Sequence, residues 1–326
     1  MPGTDRLVEL ERVSKSYPAG FWRRRVGILS ELSFSVGKNE IVGFLGPNGA
    51  GKTTTIKILN HLAIPDSGKV RVFGEEAGQS PEIRRRIGFM PEQPYFYEYL
   101  TGGEFLRLCG HLYGMGRGEM NRSVGEMLGR LGLAGAGGKT IRKYSKGMMQ
   151  RLGLAQALLH DPELVILDEP MSGLDPMGRM EVRNLIRDLK TAGKTVLFSS
   201  HIVSDVEALC DRVVMIDRGK KVAEGSLEEL VGGGGVQYVE LVFSPVPSPA
   251  RLAAVSLPPD AGSVLGDAYV VKAHDTEEAN RLIPRFREAG ALVRSCYPVK
   301  KRLEDIYMER VARGDGRERA VPPVGS

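Results

Sequence analysis

One short glycine-rich stretch, residues 46–53, constrains the fold of this 326-residue chain more than any other. It matches the phosphate-binding pattern G-x-x-x-x-G-K-[ST]. Its residues are Gly46, Pro47, Asn48, Gly49, Ala50, Gly51, Lys52 and Thr53. An apolar run over 40–45 predicts a buried strand before the loop, and the pattern over 54–59 predicts the opening of a helix after it. The sequence therefore predicts an anion site where a strand gives way to a helix.

The residue types of this loop fit a nucleoside triphosphate. Glycines let successive backbone N–H groups turn toward an anion, and the helix adds the positive end of its dipole. Lys52 is predicted to bridge the β- and γ-phosphates, and the hydroxyl of Thr53 to hold Mg²⁺. Thr54 is included in the predicted contact set. A glycine-rich turn with a surface lysine is the alternative, and the motifs that follow argue against it.

Length and composition predict a two-domain cytosolic protein. At 326 residues the chain exceeds a single core of ordinary size, and no apolar run reaches the ~18 residues of a membrane span. The amino terminus lacks the features of a signal peptide. The three cysteines, Cys109, Cys210 and Cys296, form no C-x-x-C pair, which favours reduced thiols. The net charge of +5 does not by itself indicate nucleic-acid binding, because no aromatic residues alternate with the basic clusters.

Residues 6–36 alternate apolar and polar positions, which predicts half-buried antiparallel strands. The long turn over 18–25 joins them and carries the only tryptophan of the chain. Tyr17, just before this turn, is a candidate for stacking on a purine base. Packing of the same ring on its own sheet is the alternative.

Residues 95–160 have largely helical patterns and predict a helical insert. Near its end, a helix is predicted to open at Ser145 and Gly147. A serine and a glycine at a helix start favour a second anion-binding end. Many helices begin in this way, so the feature has little meaning alone.

Two carboxylates end a strand later in the chain. The apolar run over 164–167 is typical of a buried parallel strand, and it stops at Asp168 and Glu169. Ligands bind at this edge of doubly wound sheets. Asp168 is predicted to belong to the Mg²⁺ shell, and Glu169 to polarise the attacking water as general base.

A third apolar strand, over 195–198, leads to His201. Because this strand is predicted to end on the same sheet edge as Asp168 and Glu169, the histidine is predicted to donate a hydrogen bond to the γ-phosphate. The turn over 172–176 lies between the two strands in sequence. Its Asp175 is predicted to lie beside the phosphates.

Taken in this order, the motifs resemble those of the nucleotide-binding subunit of ABC transporters. The matching segments are the Walker A loop 46–53, a signature-like segment 144–148, the Walker B residues Asp168 and Glu169, a D-loop at 172–175 and the switch histidine His201. The resemblance covers residues 6–225. It implies an α/β fold of the P-loop NTPase class, with a RecA-like core, an antiparallel β subdomain and a helical subdomain at about 95–160.

The resemblance also implies an assembly. Two copies, or one copy and a related ATPase subunit, would close head to tail around two ATP molecules and their Mg²⁺ ions. Ser145 and Gly147 of one subunit would then face the γ-phosphate held by Lys52 of the other. Glu169, His201 and Lys52 would carry the hydrolysis.

Three features depart from the family pattern. Lys146 and Met148 replace a glycine and the glutamine of the usual L-S-G-G-Q signature. Where the family often has a glutamine that contacts Mg²⁺ and the membrane partner, this chain has Glu92 followed by Gln93, and either residue is a candidate ligand. The turn over 18–25 is longer than in minimal members.

The carboxyl-terminal third predicts a small α/β accessory domain. A glycine linker at 231–235 separates the ATPase domain, 6–230, from this domain at 236–312. Asp275 and Glu278 form a predicted capping box for a helix that Pro284 should kink or shorten. Residues 313–326 are predicted to be a disordered tail.

The segment over 92–97 and the accessory domain resemble the ATPases that serve ABC-2-type exporters. The resemblance implies a separately encoded integral membrane permease as partner, with this chain peripheral on the cytoplasmic face of the cell membrane and no nucleic-acid partner. A soluble ABC ATPase that acts on nucleic acid or ribosomes is the alternative. A nucleotide-dependent scaffold without turnover is disfavoured by Glu169 and His201.

Overall fold

A computed structural model gives the fold of the chain. It describes residues 6–19, 24–76, 80–232, 236–255, 257, 262–300 and 302–314. The tip of the 18–25 turn with Trp22, most of the glycine linker and the tail beyond 314 lie outside these ranges. The described chain divides into two compact units, one formed by the residues up to Leu227 and from Arg310 onward, the other by Glu228–Glu309. Within the described ranges, every helix is too short or too polar to cross a membrane.

The strands alternate with helices along most of the first unit. In chain order the strands are β1 (Arg6–Ala19), β2 (Arg24–Gly37), β3 (Ile41–Leu45), β4 (Ser67–Val72), β5 (Glu75–Glu76), β6 (Ile87–Met90), β7 (Leu164–Leu167), β8 (Thr195–Ser200), β9 (Arg212–Asp217), β10 (Lys220–Ser226), β11 (Val236–Ser244), β12 (Gly262–Leu265), β13 (Ala268–Ala273) and β14 (Leu292–Lys300). The helices are α1 (Lys52–Leu59), α2 (Pro81–Arg85), α3 (Gly102–Leu112), α4 (Arg117–Arg130), α5 (Lys146–Leu158), α6 (Pro176–Thr191), α7 (Val203–Leu209), α8 (Leu227–Gly232), α9 (Pro249–Val255), α10 (Thr276–Glu288) and α11 (Leu303–Gly314).

A six-stranded sheet in the order β10-β9-β3-β8-β7-β6 forms the centre of the first unit. Strands β9, β3, β8, β7 and β6 are parallel, and every residue of β3, β7 and β8 is buried. Continuous apolar runs suit such strands because helices cover both faces of a parallel sheet. Since β8 lies between β3 and β7, the carboxyl ends of these three strands share one edge of the sheet.

A second, four-stranded antiparallel sheet in the order β2-β1-β4-β5 confirms the strands predicted over 6–36. Its alternating apolar residues are buried, among them Val8, Leu10, Leu32 and Val36. Phe34 of β2 stacks on Phe44 of β3 with ring centroids 5.3 Å apart. The two sheets therefore share one apolar core.

Three helices, α3 to α5, form the predicted insert. The side chain of Thr101 accepts from the backbone of Glu104, and the Glu104 carboxylate accepts from Thr101, so a capping box begins α3. The Tyr144 hydroxyl donates to Ala136 O at 2.8 Å and fixes the chain just before α5. Together with the central sheet and the antiparallel sheet, this insert confirms the predicted P-loop fold with a helical subdomain.

The second unit has the order β-α-β-β-α-β, from β11 to β14, with an antiparallel sheet in the order β12-β13-β11-β14. This is the split βαβ, ferredoxin-like arrangement. Phe286 of α10 stacks on Phe243 of β11, with ring centroids 3.9 Å apart. Asp275 caps α10 as predicted, but the helix continues past Pro284 to Glu288 rather than ending early. The apolar face of α10 explains this continuity, because Leu282 and Phe286 are buried on either side of the proline.

Candidate nucleotide-binding site

The loop over 46–53 lies between β3 and α1, as predicted, and its backbone explains its glycines. A Cβ at Gly46 would lie 2.4 Å from Ile216 O, so no side chain fits there. Gly51 has φ +108°, a conformation that L side chains rarely adopt, and it directly precedes α1. The loop therefore brings its backbone close to the sheet edge and presents the amino-terminal end of a helix.

Lys52 is the first residue of α1, and its side chain is buried, with a relative exposure of 6%. Its ammonium donates to Gly46 O at 2.7 Å and to Pro47 O at 3.2 Å. The same Nζ lies 3.2 Å from Glu169 Oε1. The lysine thus joins the loop to the end of β7 through one buried ion pair.

Asp168 follows β7 and is 1% exposed. Ser199 Oγ donates to its Oδ1 at 2.6 Å, and Thr53 hydrogen-bonds to the carboxylate as well. Burial raises the pKa of Asp168 above its ordinary value, although the hydrogen bonds from Ser199 and Thr53 and the nearby charge of Lys52 oppose this shift. A buried carboxylate in this setting favours a nearby cation.

Glu169 has φ +48°, so its backbone lies in the left-handed region. Its N–H donates to Ser199 Oγ at 2.8 Å. His201 Nδ1 lies 2.9 Å from Glu169 Oε2, and since a carboxylate only accepts, the imidazole is the donor. Glu169 Oε1 is buried beside Lys52 but has no hydrogen-bond donor within the described chain. That oxygen is therefore able to accept a hydrogen bond from a water molecule.

These contacts bring Lys52, Thr53, Asp168, Glu169 and His201 together at one edge of the central sheet, where the sequence predicts them. Their positions follow from the strand order, since β8 separates β3 from β7. Their chemical roles stay predictions.

The remaining predicted residues have other contacts. Tyr17 is 37% exposed, and the Lys15 ammonium lies 5.1 Å from the centroid of its ring. Ser145 caps α5 and accepts from Met148 N at 3.3 Å, and Asp175 caps α6 and accepts from Gly178 N at 2.8 Å. Both residues thus stabilise a helix start, which is compatible with a nucleotide contact and does not test one.

Two further predictions concern the segments near α5 and β6. A Cβ at Gly147 would lie 3.7 Å from Leu174 Cδ2, which places the signature-like segment beside the D-loop of the same chain. Glu92 and Gln93 are both exposed, just after β6. The structure does not distinguish between them as ligands.

Two residues of the site escaped the sequence reasoning. Ser199 contacts both Asp168 and Glu169, and Gln150 Nε2 donates to Pro170 O at 2.9 Å. A hydroxyl near the end of an apolar strand was the available signal for Ser199. For Gln150 the signal was a single polar side chain among inward-facing apolar residues of α5.

The side chains fit the groups that the sequence predicts. Carboxylate and hydroxyl oxygens are the ligands that Mg²⁺ prefers, and Asp168 and Thr53 supply one of each in direct contact. The Lys52 ammonium and the amino-terminal end of α1 supply positive charge beside the loop. The donor set therefore suits a magnesium-bound triphosphate.

Comparisons with known proteins agree with this geometry. The family model described as ABC transporter matches residues 29–172. An uncharacterised ABC transporter ATP-binding protein of Nostoc sp. is 46% identical over 240 residues, which cover 73% of this chain and 71% of the relative. The daunorubicin resistance ATP-binding protein DrrA3 of Streptomyces coeruleorubidus is 34% identical over 294 residues, covering 89% of this chain and 92% of that protein.

A solved structure extends the comparison to a bound nucleotide. It is a dimeric post-hydrolysis state of the ATP-binding cassette MJ0796 bound to ADP and Pi, with a TM-score of 0.62 and 26% identity. The match covers 68% of this chain and 98% of that cassette. On the strength of these similarities and of the site itself, the chain belongs to the ABC transporter family, as one of its ATP-binding, ATP-hydrolysing subunits.

Proposed function

We propose that this chain powers an exporter, by closing with a second ATPase subunit around Mg²⁺-ATP and transmitting that closure to a separately encoded ABC-2-type permease. One observation carries the catalytic part of the proposal. The Glu169 carboxylate is held between the ammonium of Lys52 and the imidazole of His201, at 3.2 Å and 2.9 Å. A base in this position has one oxygen fixed by the histidine and the other available to a water molecule.

The side chains divide the work. Glu169 accepts the proton of the attacking water, and His201 keeps its carboxylate oriented. Thr53 and Asp168 hold Mg²⁺, which neutralises charge on the phosphates. Lys52 is shared, because the phosphate oxygens compete with Glu169 for its ammonium. Binding of the triphosphate therefore releases the base from its ion pair.

Dimer formation is supported by the relatives and by the helix starts. The cassette MJ0796 is described as dimeric with ADP and Pi bound. In this chain Ser145 and Asp175 each stand at the first turn of a helix, where backbone N–H groups favour anions. We propose that Ser145 and Gly147 meet the ATP of the partner subunit, whether that subunit is a second copy or a related chain.

The permease partner is supported by relatives named for drug resistance. The relatives include the daunorubicin resistance protein DrrA3 and a linearmycin resistance protein of Bacillus subtilis. The chain's described helices are unsuited to spanning a bilayer, so any membrane path would belong to a partner. Exposed Tyr95, Tyr97 and Tyr99 follow the 92–93 segment and offer a contact surface at the cytoplasmic face of the membrane.

Purification from membranes tests this proposal. The chain is co-expressed with the membrane protein encoded beside its gene, as wild type and as Glu169→Gln, and is isolated with ATP and Mg²⁺ in mild detergent. We expect the Glu169→Gln chain to be recovered with the permease and with about one ATP for each copy of this chain. Recovery with RNA or ribosomes, and without any integral membrane protein, would contradict the proposal.

A further inference from the structure

We propose that Ser199 and Gln150, which lie outside the motifs of the site, are positioning residues that fix Glu169 in its catalytic conformation. This inference rests on the proposed role of Glu169 as general base. Ser199 acts on the N–H of Glu169 from β8, and Gln150 acts on the carbonyl of the next residue, Pro170, from α5.

The backbone of Glu169 requires such support. A glutamate at φ +48° is in the left-handed region, which is unfavourable by roughly 1 kcal/mol for a residue with a Cβ. Residues persist in this region when the surrounding structure over-determines them. The direction of the Cα–Cβ bond depends on φ, so a relaxed backbone would point the carboxylate away from His201 and Lys52.

Ser199 supplies two hydrogen bonds with one hydroxyl. Its Oγ accepts from Glu169 N at 2.8 Å and donates to Asp168 Oδ1 at 2.6 Å. The serine is fully buried, with 0% exposure, so water does not readily replace the hydroxyl. An alanine here would leave a buried N–H and a buried carboxylate oxygen without this partner, and would uncouple the two acidic residues from β8.

Gln150 holds the other side of the same turn. Its amide is buried, and Nε2 donates to Pro170 O at 2.9 Å. Helix α5 begins at Ser145, so this hydrogen bond joins the signature-like segment to the residue after the base. Removal of the amide would free the Glu169–Pro170 segment on the side that Ser199 does not reach.

Both side chains are predicted to affect the chemical step rather than ATP binding. Neither hydrogen bond involves the loop over 46–53, which is predicted to hold the phosphates. A misplaced base lowers the rate by about 10- to 100-fold when its displacement approaches 1 Å. The expected signature is therefore a fall in kcat with little change in KM.

Matched variants of the full chain test this inference. Ser199→Ala is compared with Thr195→Val, which removes another buried hydroxyl of β8, one that accepts from Asn39 N at the opposite end of the strand. Gln150→Met is compared with Gln156→Met on the same helix α5. Ser199→Thr retains a hydroxyl and serves as the rescue. Each variant is measured for steady-state ATP hydrolysis, for equilibrium ATP binding and for its melting temperature.

We expect kcat to fall by about 10- to 100-fold in Ser199→Ala and Gln150→Met, with KM within about threefold of wild type. Thr195→Val, Gln156→Met and Ser199→Thr should keep kcat within about threefold, even where the melting temperature falls. Equal kcat values in Ser199→Ala and Thr195→Val, at equal folded fractions, would overturn the role of Ser199. The same comparison between Gln150→Met and Gln156→Met decides the role of Gln150.

A crystal structure of Ser199→Ala provides a readout independent of turnover. We expect residue 169 to leave the left-handed region or to occupy two conformations. An unchanged φ at Glu169 together with an unchanged kcat would refute the inference. A wild-type chain that lacks Mg²⁺-dependent hydrolysis would instead refute the proposed function, so the two failures are distinguishable.

Discussion

At the scale of single residues, Glu169 combines a catalytic side chain with an unfavourable backbone. Its φ of +48° suits glycine better than any residue with a Cβ, yet its carboxylate is the group that contacts Lys52 and His201. Strain of this kind is concentrated at functional sites, where the neighbouring structure maintains it. The chemistry at this position therefore lowers the stability of the turn.

Substitution at 169 should separate the two effects. Glu169→Gly and Glu169→Ala both remove the carboxylate, but only glycine relieves the left-handed strain, so we expect Glu169→Gly to be the more stable by about 1 kcal/mol. Chemical denaturation measures the difference. The control is the same pair at Glu181, inside α6, where glycine should be less stable than alanine by a similar amount. Glu169→Ala more stable than Glu169→Gly would contradict the assigned backbone conformation.

At the scale of elements, α6 and α7 are joined by a buried carboxylate. Asp205 of α7 is 1% exposed and accepts from Arg179 at 2.7 Å and from Arg183 at 2.5 Å, both on α6. Helix α6 begins after Asp175, and α7 begins shortly after His201. The pairing therefore fixes the helices that follow two predicted site residues.

Loss of this carboxylate should be strongly destabilising. Asp205→Ala leaves two partly buried guanidinium groups without their partner, so we expect a decrease of about 3 kcal/mol in the free energy of unfolding. Asp188→Ala is the control, since Asp188 is exposed and lies 3.6 Å from Arg130. That control should change stability by less than about 0.5 kcal/mol. Similar losses in both variants, measured by urea denaturation, would contradict the account.

A second element contact, at Asp66, makes stability depend on pH. Hydrogen bonds from Ser16, and then from Lys15 and Arg25, hold the pKa of Asp66 well below its usual range. These partners lie on β1 and β2, so the carboxylate ties both strands to the turn before β4. Because the folded pKa is below the unfolded one, the contribution is present above pH ~4 and is lost as pH falls further.

The Asp66→Asn variant tests this linkage. We expect its melting temperature to be below that of wild type near neutral pH, and the gap to shrink once the pH falls below about 4. Asp188→Asn, at an exposed carboxylate, serves as the matched control and should show little gap at either pH. A gap for Asp66→Asn that stays constant across this range would show that the ionised carboxylate is not the cause.

The sequence predicted the main site residues well because each follows a recognisable local pattern. Lys52 lies in a glycine-rich loop, Asp168 and Glu169 end an apolar run, and His201 ends another. Ser199 and Gln150 act through contacts between elements distant in sequence, so no local pattern reveals them. The course of α10 past Pro284 was missed for the same reason, since packing against β11 outweighs the unfavourable effect of an internal proline.

At the scale of the whole molecule, the account assigns hydrolysis to the first unit alone. The central sheet brings the loop, both carboxylates and the histidine to one edge within residues 46–201. The ferredoxin-like second unit has its own apolar core around Phe243 and Phe286. The sequence predicted an α/β unit here, but strand β12 and helix α9 were not foreseen, because both are short.

Hydrolysis of ATP by the purified full chain, with and without Mg²⁺, is the most direct test of the central claim. Wild type, Glu169→Gln and Glu163→Gln are compared, since Glu163 stands at the opposite end of the same strand, where it pairs with Arg86. The account predicts Mg²⁺-dependent phosphate release by wild type and Glu163→Gln, and a loss of at least about 100-fold in Glu169→Gln with ATP binding retained. Turnover by Glu169→Gln equal to that of Glu163→Gln would contradict it.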